Sequence, residues 1–339
     1  MTAPLDRIRF PVLSGDIGGT NARFALTADE TAKTERIPTI ATTDFATIDD
    51  AIEAAVGDRP PGERPKTAIL ALAGPITGDR VKITNNDWAA EPKTMIARFG
   101  MTDVILLNDF EALSLSLPGL GAGDVDAIGG GEATPQGARV VVGPGTGLGA
   151  GALIHAGGRW VPIPGEGGHV DLGPVSDRDF ALWPHLEKTF GRMSVETLVC
   201  GSGMLRLYRG ICAANGVAAT LANEADVAAR GLAGDDPQAV ETLELFATYL
   251  GRFAGDLALI FSAWGGVYLA GGISTRIAPA LKSGAFREAF LAKEPHRHLM
   301  ERMATAIIIK EDAALAGIGD FARAPSRFGV ELNGRWWQA

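Results

Sequence analysis

The sequence predicts an α/β fold built from two domains. Its 339 residues exceed the size at which a single hydrophobic core usually keeps growing. Apolar runs typical of strands alternate with segments of helical periodicity, as in sheets covered by helices. The order strand, glycine-rich turn, strand occurs near the start of each half, at residues 8–26 and 139–155, and we interpret it as a weak internal repeat.

The first glycine-rich stretch, residues 13–26, predicts a β-hairpin whose turn binds phosphate. An apolar run enters the turn and an alternating apolar run leaves it. Its glycines let backbone N–H groups approach an oxyanion, Thr20 and Asn21 add neutral donors, and Asp16 offers a carboxylate to Mg²⁺. An ordinary tight hairpin is the alternative, because short glycine motifs are common.

Composition narrows the range of partners and compartments. A net charge of −9 and a pI near 5.1 argue against nucleic acid, so an anionic ligand would be bound locally, by backbone N–H groups, a few basic residues and a metal ion. Cys200 and Cys212 form no C-x-x-C motif, which predicts a reducing compartment. Residues 1–7 lack the pattern of a signal peptide. We therefore expect a cytoplasmic protein that binds neither nucleic acid nor membrane.

In the first half of the sequence the apolar pattern predicts mainly strands. The clearest is the unbroken apolar run at 104–107, which leads directly into Asn108 and Asp109 and so places them at a strand's carboxyl end, where α/β sheets bind ligands. The same two residues could instead be an ordinary helix N-cap. Strands are predicted at 8–13, 22–26, 36–40, 67–73, 81–84 and 104–107, and helices at 43–56, capped by Thr43 or Asp44, and at 91–99.

The second half follows a glycine-rich stretch at 118–137, which we predict to be a domain boundary and hinge. Its longest helix is predicted to begin with Asp236 as N-cap and Pro237 as the first helical residue. Strands are predicted at 139–142, 150–155, 267–273 and 304–309, and helical segments at 176–190, 194–214, 223–232, 237–260 and, capped by Asp312, 313–323. The predicted domains are residues 8–118, completed by the helix 311–324, and residues 119–310, with a tail at 325–339.

The second glycine-rich turn, residues 143–149, is tested against two known phosphate motifs. Gly145-x-Gly147-x-x-Ala150 satisfies the dinucleotide fingerprint, but that motif requires a following helix, whereas residues 150–154 have the pattern of a strand. No G-x-x-x-x-G-K-[ST] loop occurs. Two phosphate-type turns, one in each half, instead predict ATP held between two domains.

Six motifs, in order along nearly the whole chain, resemble those of the bacterial ATP-dependent glucokinases. The resemblance implies a two-domain actin-like ATPase fold, related to ribonuclease H, with the active-site cleft between the domains. The cysteine-rich zinc motif of the related repressor and sugar-kinase family is missing, so the chain resembles the zinc-free branch. The six motifs are Gly15-Asp16-Ile17-Gly18-Gly19-Thr20-Asn21-Ala22-Arg23, Leu107-Asn108-Asp109-Phe110, Gly145-Thr146-Gly147-Leu148-Gly149, Pro164-Gly165-Glu166-Gly167-Gly168-His169-Val170-Asp171, Ser194-Val195-Glu196 and Ala270-Gly271-Gly272-Ile273.

The resemblance implies transfer of the γ-phosphate of ATP to the 6-hydroxyl of D-glucose, the first step of glycolysis. Asp109 would be the general base and Asn108 would orient the sugar, while Glu166, His169 and Glu196 would bind its hydroxyl groups. Asp16 would hold Mg²⁺, directly or through water, and we expect a homodimer. The ATP site implied by the resemblance comprises Gly15, Asp16, Ile17, Gly18, Gly19, Thr20, Gly145, Thr146, Gly147, Gly271 and Gly272.

Several features have a second interpretation. Glu166, His169 and Asp171 could be metal ligands, and Arg23 could contact either phosphate or a carboxylate. The same fold could also serve a nucleotide-gated chaperone or a sugar-sensing regulator, although we find no peptide-binding domain and no helix-turn-helix. Adjacent Trp336 and Trp337 in the tail are predicted to pack on the core or on a second subunit.

Overall fold

A computed structural model describes residues 7–84 and 86–339. In this part of the chain, no helix is both long and apolar enough to cross a membrane. The strands are β1 (Val12–Ile17), β2 (Asn21–Thr27), β3 (Glu35–Arg36), β4 (Ile40–Ala41), β5 (Thr67–Leu72), β6 (Val81–Lys82), β7 (Ala89–Ala90), β8 (Asp103–Asn108), β9 (Val125–Gly129), β10 (Arg139–Pro144), β11 (Leu148–Ala156), β12 (Arg159–Gly165), β13 (Val267–Leu269), β14 (Thr305–Ile308) and β15 (Trp336–Gln338). The α-helices are α1 (Ile48–Val56), α2 (Pro92–Phe99), α3 (Asp109–Ser116), α4 (Asp177–Leu182), α5 (Val195–Leu198), α6 (Gly201–Ala214), α7 (Glu224–Ala233), α8 (Pro237–Phe261), α9 (Gly271–Arg276), α10 (Ala278–Leu281), α11 (Ala285–Leu291), α12 (Arg297–Met300) and α13 (Ala313–Arg323).

By internal contacts the chain divides into two compact units. The first unit takes the chain up to Leu120 together with Leu153–Pro164 and Glu311–Ala339. Its sheet has the order β15-β8-β5-β1-β2-β3, with β4 also paired to β2. The strands β1, β5 and β8 run parallel, and every residue of β5 is buried. This sheet therefore has the near-continuous apolar centre of a sheet covered on both faces.

The second unit consists of Gly121–Ala152 and Gly165–Lys310. The strands β10, β13 and β14 are parallel neighbours in its sheet, with β9 antiparallel at one edge and the first part of β11, up to Ala152, on the other side of β10. The long helix α8 begins as predicted, because Oδ1 of Asp236 accepts hydrogen bonds from the N–H groups of Gln238 and Ala239, at 3.0 and 2.9 Å.

The first hairpin differs from its prediction. The strand begins at Val12 and continues through Gly15 and Asp16, so only residues 18–20 form the turn. A Cβ atom at position 15 would lie 2.6 Å from Cδ2 of Leu70 on the neighbouring strand, so the Leu70 side chain would have to shift to accommodate any other residue. The glycine at 15 therefore marks close packing rather than the turn.

Other boundaries also shift. The first helix is capped by Thr47, whose Oγ1 accepts from the N–H of Asp50 at 3.1 Å, while Thr43 and Asp44 lie in a separate 3₁₀ turn. The strands β9 and β12 were not predicted, and the helix expected over 176–190 ends at Leu182, just before Trp183-Pro184. Helix α13 occurs where predicted, but the side chain of Asp312 does not cap it. A cap prediction uses only local sequence, and here the local preference is overridden.

The paired tryptophans of the tail are predicted to pack on the core or on a second subunit, and the structure shows packing on the core. Residues 336–338 form β15, which pairs antiparallel with β8 in the first unit. Nε1 of Trp336 donates to Oδ1 of Asp103 at 2.9 Å, and Trp337 packs against the core of that sheet. The tail is thus the edge strand beside the strand that ends at Asn108.

Candidate active site

The end of β8 presents two polar side chains at the start of α3. Asn108 is the N-cap, since its Oδ1 accepts from the N–H groups of Phe110 at 3.0 Å and Glu111 at 3.2 Å. Nδ2 of Asn108 also donates to the carbonyl oxygen of Gly74, at 3.3 Å. Asp109 is the first residue of the helix and not its cap. The cap alternative therefore applies to Asn108, while Oδ1 of Asp109 accepts from the N–H of Phe110 at 2.9 Å.

The strands on either side of the first glycine-rich turn place a carboxylate beside an arginine. Asp16 lies on β1 directly opposite Arg23 on β2, and Nη1 of Arg23 donates to Oδ2 of Asp16 at 3.2 Å. Burial raises the pKa of Asp16 above its ordinary value, and the charge of Arg23 partly offsets that effect. Arg23 thus contacts carboxylates in this structure, because its Nε also lies 3.6 Å from Oδ1 of Asp312.

Asp312 also belongs to this group of charged side chains, although the sequence predicts it to be the cap of helix 313–323. Its backbone is left-handed, with φ of 52°, and its Oδ2 lies 2.6 Å from Nε of Arg36. The only local signal was an aspartate before a helix, which predicts a cap. Its actual partners are almost 300 residues earlier in the chain, so no local pattern could have identified them.

The centre of the second glycine-rich turn, residues 145–147, is held by hydrogen bonds from two sides within the second unit. The N–H of Gly145 donates to the carbonyl oxygen of Gly147 at 2.8 Å, and the carbonyl oxygen of Gly145 accepts from the N–H of Gly201 at 2.9 Å. Directly after Thr146 and Gly147, the N–H of Leu148 donates to Oε2 of Glu196 at 2.7 Å. The turn is a hairpin followed by the strand β11, as predicted, which confirms the case against a dinucleotide fingerprint.

Three predicted sugar ligands lie together in the second unit. Nε2 of His169 is 4.0 Å from Oε2 of Glu166, and Nδ1 of His169 is 3.8 Å from Oε1 of Glu196. Glu166 and His169 are exposed and Glu196 is partly buried, so hydroxyl groups of a ligand could reach all three. Asp171 pairs instead with Arg192. Among residues 7–84 and 86–339, no group of three or more His, Cys, Asp or Glu side chains is arranged to hold a metal ion.

The strand predicted over 267–273 ends at Leu269, and Gly271 and Gly272 instead begin helix α9. Gly271 has φ of +85° and a Cβ atom there would lie 2.8 Å from the carbonyl oxygen of Pro144, so only glycine fits. A Cβ atom at Gly272 would meet nothing within 4 Å. This helix start therefore lies beside the end of β10, which leads into the second glycine-rich turn.

The predicted site residues thus form two sets, one in each unit. The first unit brings Asp16 onto a strand with Gly15 and Ile17, next to the turn of Gly18, Gly19 and Thr20, and separately presents Asn108 and Asp109. The second unit holds Glu166, His169 and Glu196 with the turn of Gly145, Thr146 and Gly147, and with Gly271 and Gly272.

The family model and the curated relatives agree on one family. The sequence model of the family described as Glucokinase matches residues 13–325. A curated protein named glucokinase from Sinorhizobium fredii strain NBRC 101917 / NGR234 is 51% identical over 330 residues, which cover 97% of each chain. The crystal structure of a glucokinase from an Antarctic psychrotroph superposes with a TM-score of 0.82 and 32% identity, over 94% of this chain and all of the other. A glucokinase of the ROK family from Streptomyces griseus, solved with glucose and AMPPNP, shares the fold, with a TM-score of 0.61 and 21% identity over 93% and 99% of the two chains.

Proposed function

The chain belongs to the glucokinase family, and from this premise we propose how its residues transfer the γ-phosphate of ATP to the 6-hydroxyl of D-glucose. The observation that carries the assignment of the base is the position of Asp109 directly after the end of β8. Asn108 is the residue that caps the helix, and Asp109 follows it at the carboxyl end of a buried strand, where α/β sheets bind ligands.

In the proposed reaction Asp109 acts as general base. Its carboxylate takes the proton of the 6-hydroxyl while the hydroxyl oxygen attacks the γ-phosphorus of ATP. The bond between that phosphorus and the bridging oxygen of ADP breaks, so the products are glucose 6-phosphate, ADP and a proton first held by Asp109. Asn108 orients the sugar by hydrogen bonding beside the base.

We assign the remaining sugar hydroxyls to Glu166, His169 and Glu196. A buried polyol requires a partner for each hydroxyl, and this set offers two carboxylates as acceptors and an imidazole that both donates and accepts. His169 lies between the two carboxylates, 4.0 Å from Glu166 and 3.8 Å from Glu196. That spacing suits neighbouring hydroxyls on one ring.

The two glycine-rich turns and the start of α9 are proposed to bind ATP. Backbone N–H groups at Gly18, Gly19 and Thr20 and at Gly145–Gly147 would donate to phosphate oxygens, while Gly271 and Gly272 would let adenosine lie against the backbone. At Gly272 a Cβ atom would meet nothing within 4 Å, so the protein leaves room for such a close approach at that position.

The residues around Asp16 fit a magnesium ion that arrives with ATP. Mg²⁺ is usually held by one or two carboxylates together with phosphates and water. The carboxylate of Asp16 is placed where burial disfavours its charge, so a nearby cation stabilises it, and Arg23 alone satisfies only one of its oxygens. When bound, the ion would neutralise charge on the phosphates. Asp16 would hold it directly or through water.

We also propose that the enzyme works in the cytoplasm as a homodimer, with residues 8–118 and the helix 311–324 forming a small domain and residues 119–310 a large one. Both cysteines are buried and unpaired, which supports a reducing compartment. Sedimentation of the purified protein tests the dimer.

The test of function is ADP release, measured by a coupled assay with ATP, Mg²⁺ and a panel of hexoses. Turnover that requires glucose is expected, and the panel shows how strictly glucose is preferred. Rapid ATP turnover independent of sugar would support the chaperone-like alternative instead and would contradict the proposal.

A further inference from the structure

The C-terminal tail, residues 325–339, lies against the strand that ends at Asn108. Its strand β15 pairs antiparallel with β8, and the N–H of Leu106 donates to the carbonyl oxygen of Arg335 at 3.0 Å. Nothing in the proposed reaction uses these residues. The tail nevertheless reaches to within two positions of the residue that caps α3.

Arg335 makes a second contact, with the helix that begins at Asp109. Its Nη1 lies 2.6 Å from Oε2 of Glu111 and its Nη2 lies 3.2 Å from Oε1, so the guanidinium holds both oxygens of one carboxylate. The side chain of Glu111 is 1% exposed, and Oε2 also accepts from the N–H of Asn108 at 3.3 Å. A continuous set of contacts therefore runs from Arg335 through Glu111 to Asn108.

We propose that Arg335 is a positioning residue for Asn108 and Asp109, a role that rests on the function proposed above for those two residues. A buried carboxylate needs a partner for its charge, and burial raises the pKa of Glu111 while Arg335 opposes that rise. Held at both oxygens, Glu111 has a single orientation, in which it completes the capping box of α3. The guanidinium thereby fixes where the helix begins and where Asp109 points its carboxylate relative to the sugar.

Two substitutions separate the positive charge of Arg335 from its ability to bind both oxygens of Glu111 at once. Arg335→Gln removes the charge and leaves Glu111 without its ion-pair partner. Arg335→Lys keeps a positive charge beside Glu111, which favours folding, but an ammonium group cannot hold both oxygens in the same planar arrangement. Trp337→Phe is the matched control in the tail, because it removes a hydrogen bond to the exposed Asp79, 2.8 Å from Nε1, and leaves the contacts of Arg335 in place.

The measurements are kcat, the KM for glucose and the KM for ATP, all well below the melting temperature of each variant, with Asp109→Asn in the same assay. We expect Arg335→Gln to lower kcat by roughly ten- to a hundredfold and to raise the KM for glucose, with the KM for ATP unchanged. Arg335→Lys should fall between Arg335→Gln and the wild type, and Trp337→Phe should match the wild type.

Three outcomes decide the proposal. If both Arg335 variants melt at lower temperature but keep the kcat and glucose KM of the wild type while folded, the residue is structural only and the inference fails. If Arg335→Gln does not fold, unchanged kinetics of Arg335→Lys overturn the inference in the same way. If Asp109→Asn retains turnover, the proposed role of Asp109 fails, which is a separate result from the first two.

Discussion

The carboxylate of Glu196 accepts a hydrogen bond from the backbone N–H of Leu148, with Oε2 2.7 Å from the nitrogen. Its other oxygen, Oε1, lies 3.8 Å from Nδ1 of His169. The side chain of Glu196 thus lies near another proposed sugar ligand, His169, and is hydrogen-bonded to the strand that leaves the second glycine-rich turn. Glu166, by contrast, is exposed, and its Oε2 lies 4.0 Å from Nε2 of His169.

Glu196→Ala should therefore weaken the binding of a non-hydrolysable ATP analogue even when glucose is absent. The expected loss is roughly tenfold, the size of one hydrogen bond to a charged group. Calorimetric titration of the sugar-free protein measures it. Glu166→Ala is the control, because it should weaken glucose binding alone. Equal affinities of the two variants for the analogue would show that Glu196 does not support the turn.

Gly147→Ala should destabilise the second unit through the same carboxylate. A Cβ atom at position 147 would lie 2.5 Å from Oε2 of Glu196, so either the turn or Glu196 must move. We expect a loss of about 1–3 kcal/mol in the free energy of unfolding, measured by chemical denaturation, because the flexible side chain of Glu196 can move aside only by giving up its hydrogen bond with the N–H of Leu148. At Gly145 a Cβ atom would meet nothing within 4 Å, so Gly145→Ala should change stability by less than about 0.5 kcal/mol. A matching loss in both variants would contradict this explanation.

The sequence was most informative where structure is determined locally. The apolar run at 104–107 and the Asp236-Pro237 start each carry their own signal, and both elements occur as predicted. The pairs Arg36–Asp312 and Arg335–Glu111 join residues more than 200 positions apart. No periodicity or cap preference encodes such a pair, because it exists only once the sheet and its covering helix are assembled.

The site shows the same division. The apolar run that ends at Leu107 is a local signal, and it predicts that Asn108 and Asp109 lie at a strand's carboxyl end. Glycine content indicates both glycine-rich turns, but it does not show that Gly15 belongs to the preceding strand. The contact of Glu196 with the N–H of Leu148 spans 48 positions and involves a backbone group, so no residue type in the sequence indicates it. Tertiary contacts of this kind are the part of a site that must be observed.

Glu111 should make stability depend on pH in the direction opposite to that of an ordinary paired carboxylate. Burial raises its pKa above the usual 4.5, so the folded protein binds a proton at a pH where the unfolded chain has lost it. Stability from this group is thus fully present below the unfolded pKa and is lost as pH rises through the folded pKa. We expect the difference in unfolding free energy between wild type and Glu111→Gln to shift in favour of the wild type as pH falls from 7 towards 4.5. Urea denaturation across that range measures the difference, and a shift in favour of the variant would contradict the sign.

Asp109→Asn should abolish turnover while leaving the fold and substrate binding nearly intact. The amide keeps the shape of the carboxylate and can hydrogen-bond the 6-hydroxyl, but it cannot take the proton, so the expected loss in kcat is about 10²–10⁴-fold. Asn108 provides the cap, and the charge of Asp109 in the first turn contributes about 0.3–1 kcal/mol to the helix. Oδ1 of Asp109 also accepts from the N–H of Phe110, a bond that the amide oxygen of asparagine can accept as well. The melting temperature and the calorimetric affinity for glucose should therefore change little.

Asn108→Ala is the control that separates catalysis from helix stability. It removes an N-cap that accepts two backbone N–H groups, so it should cost about 1 kcal/mol of stability, while Asp109 keeps its ability to take a proton. Its kcat should fall less than that of Asp109→Asn even though its melting temperature falls more. This opposite ranking in the two measurements follows only if Asp109 is the base and Asn108 the cap. A variant of Asp109 that turns over glucose at close to the wild-type rate would remove Asp109 from the mechanism.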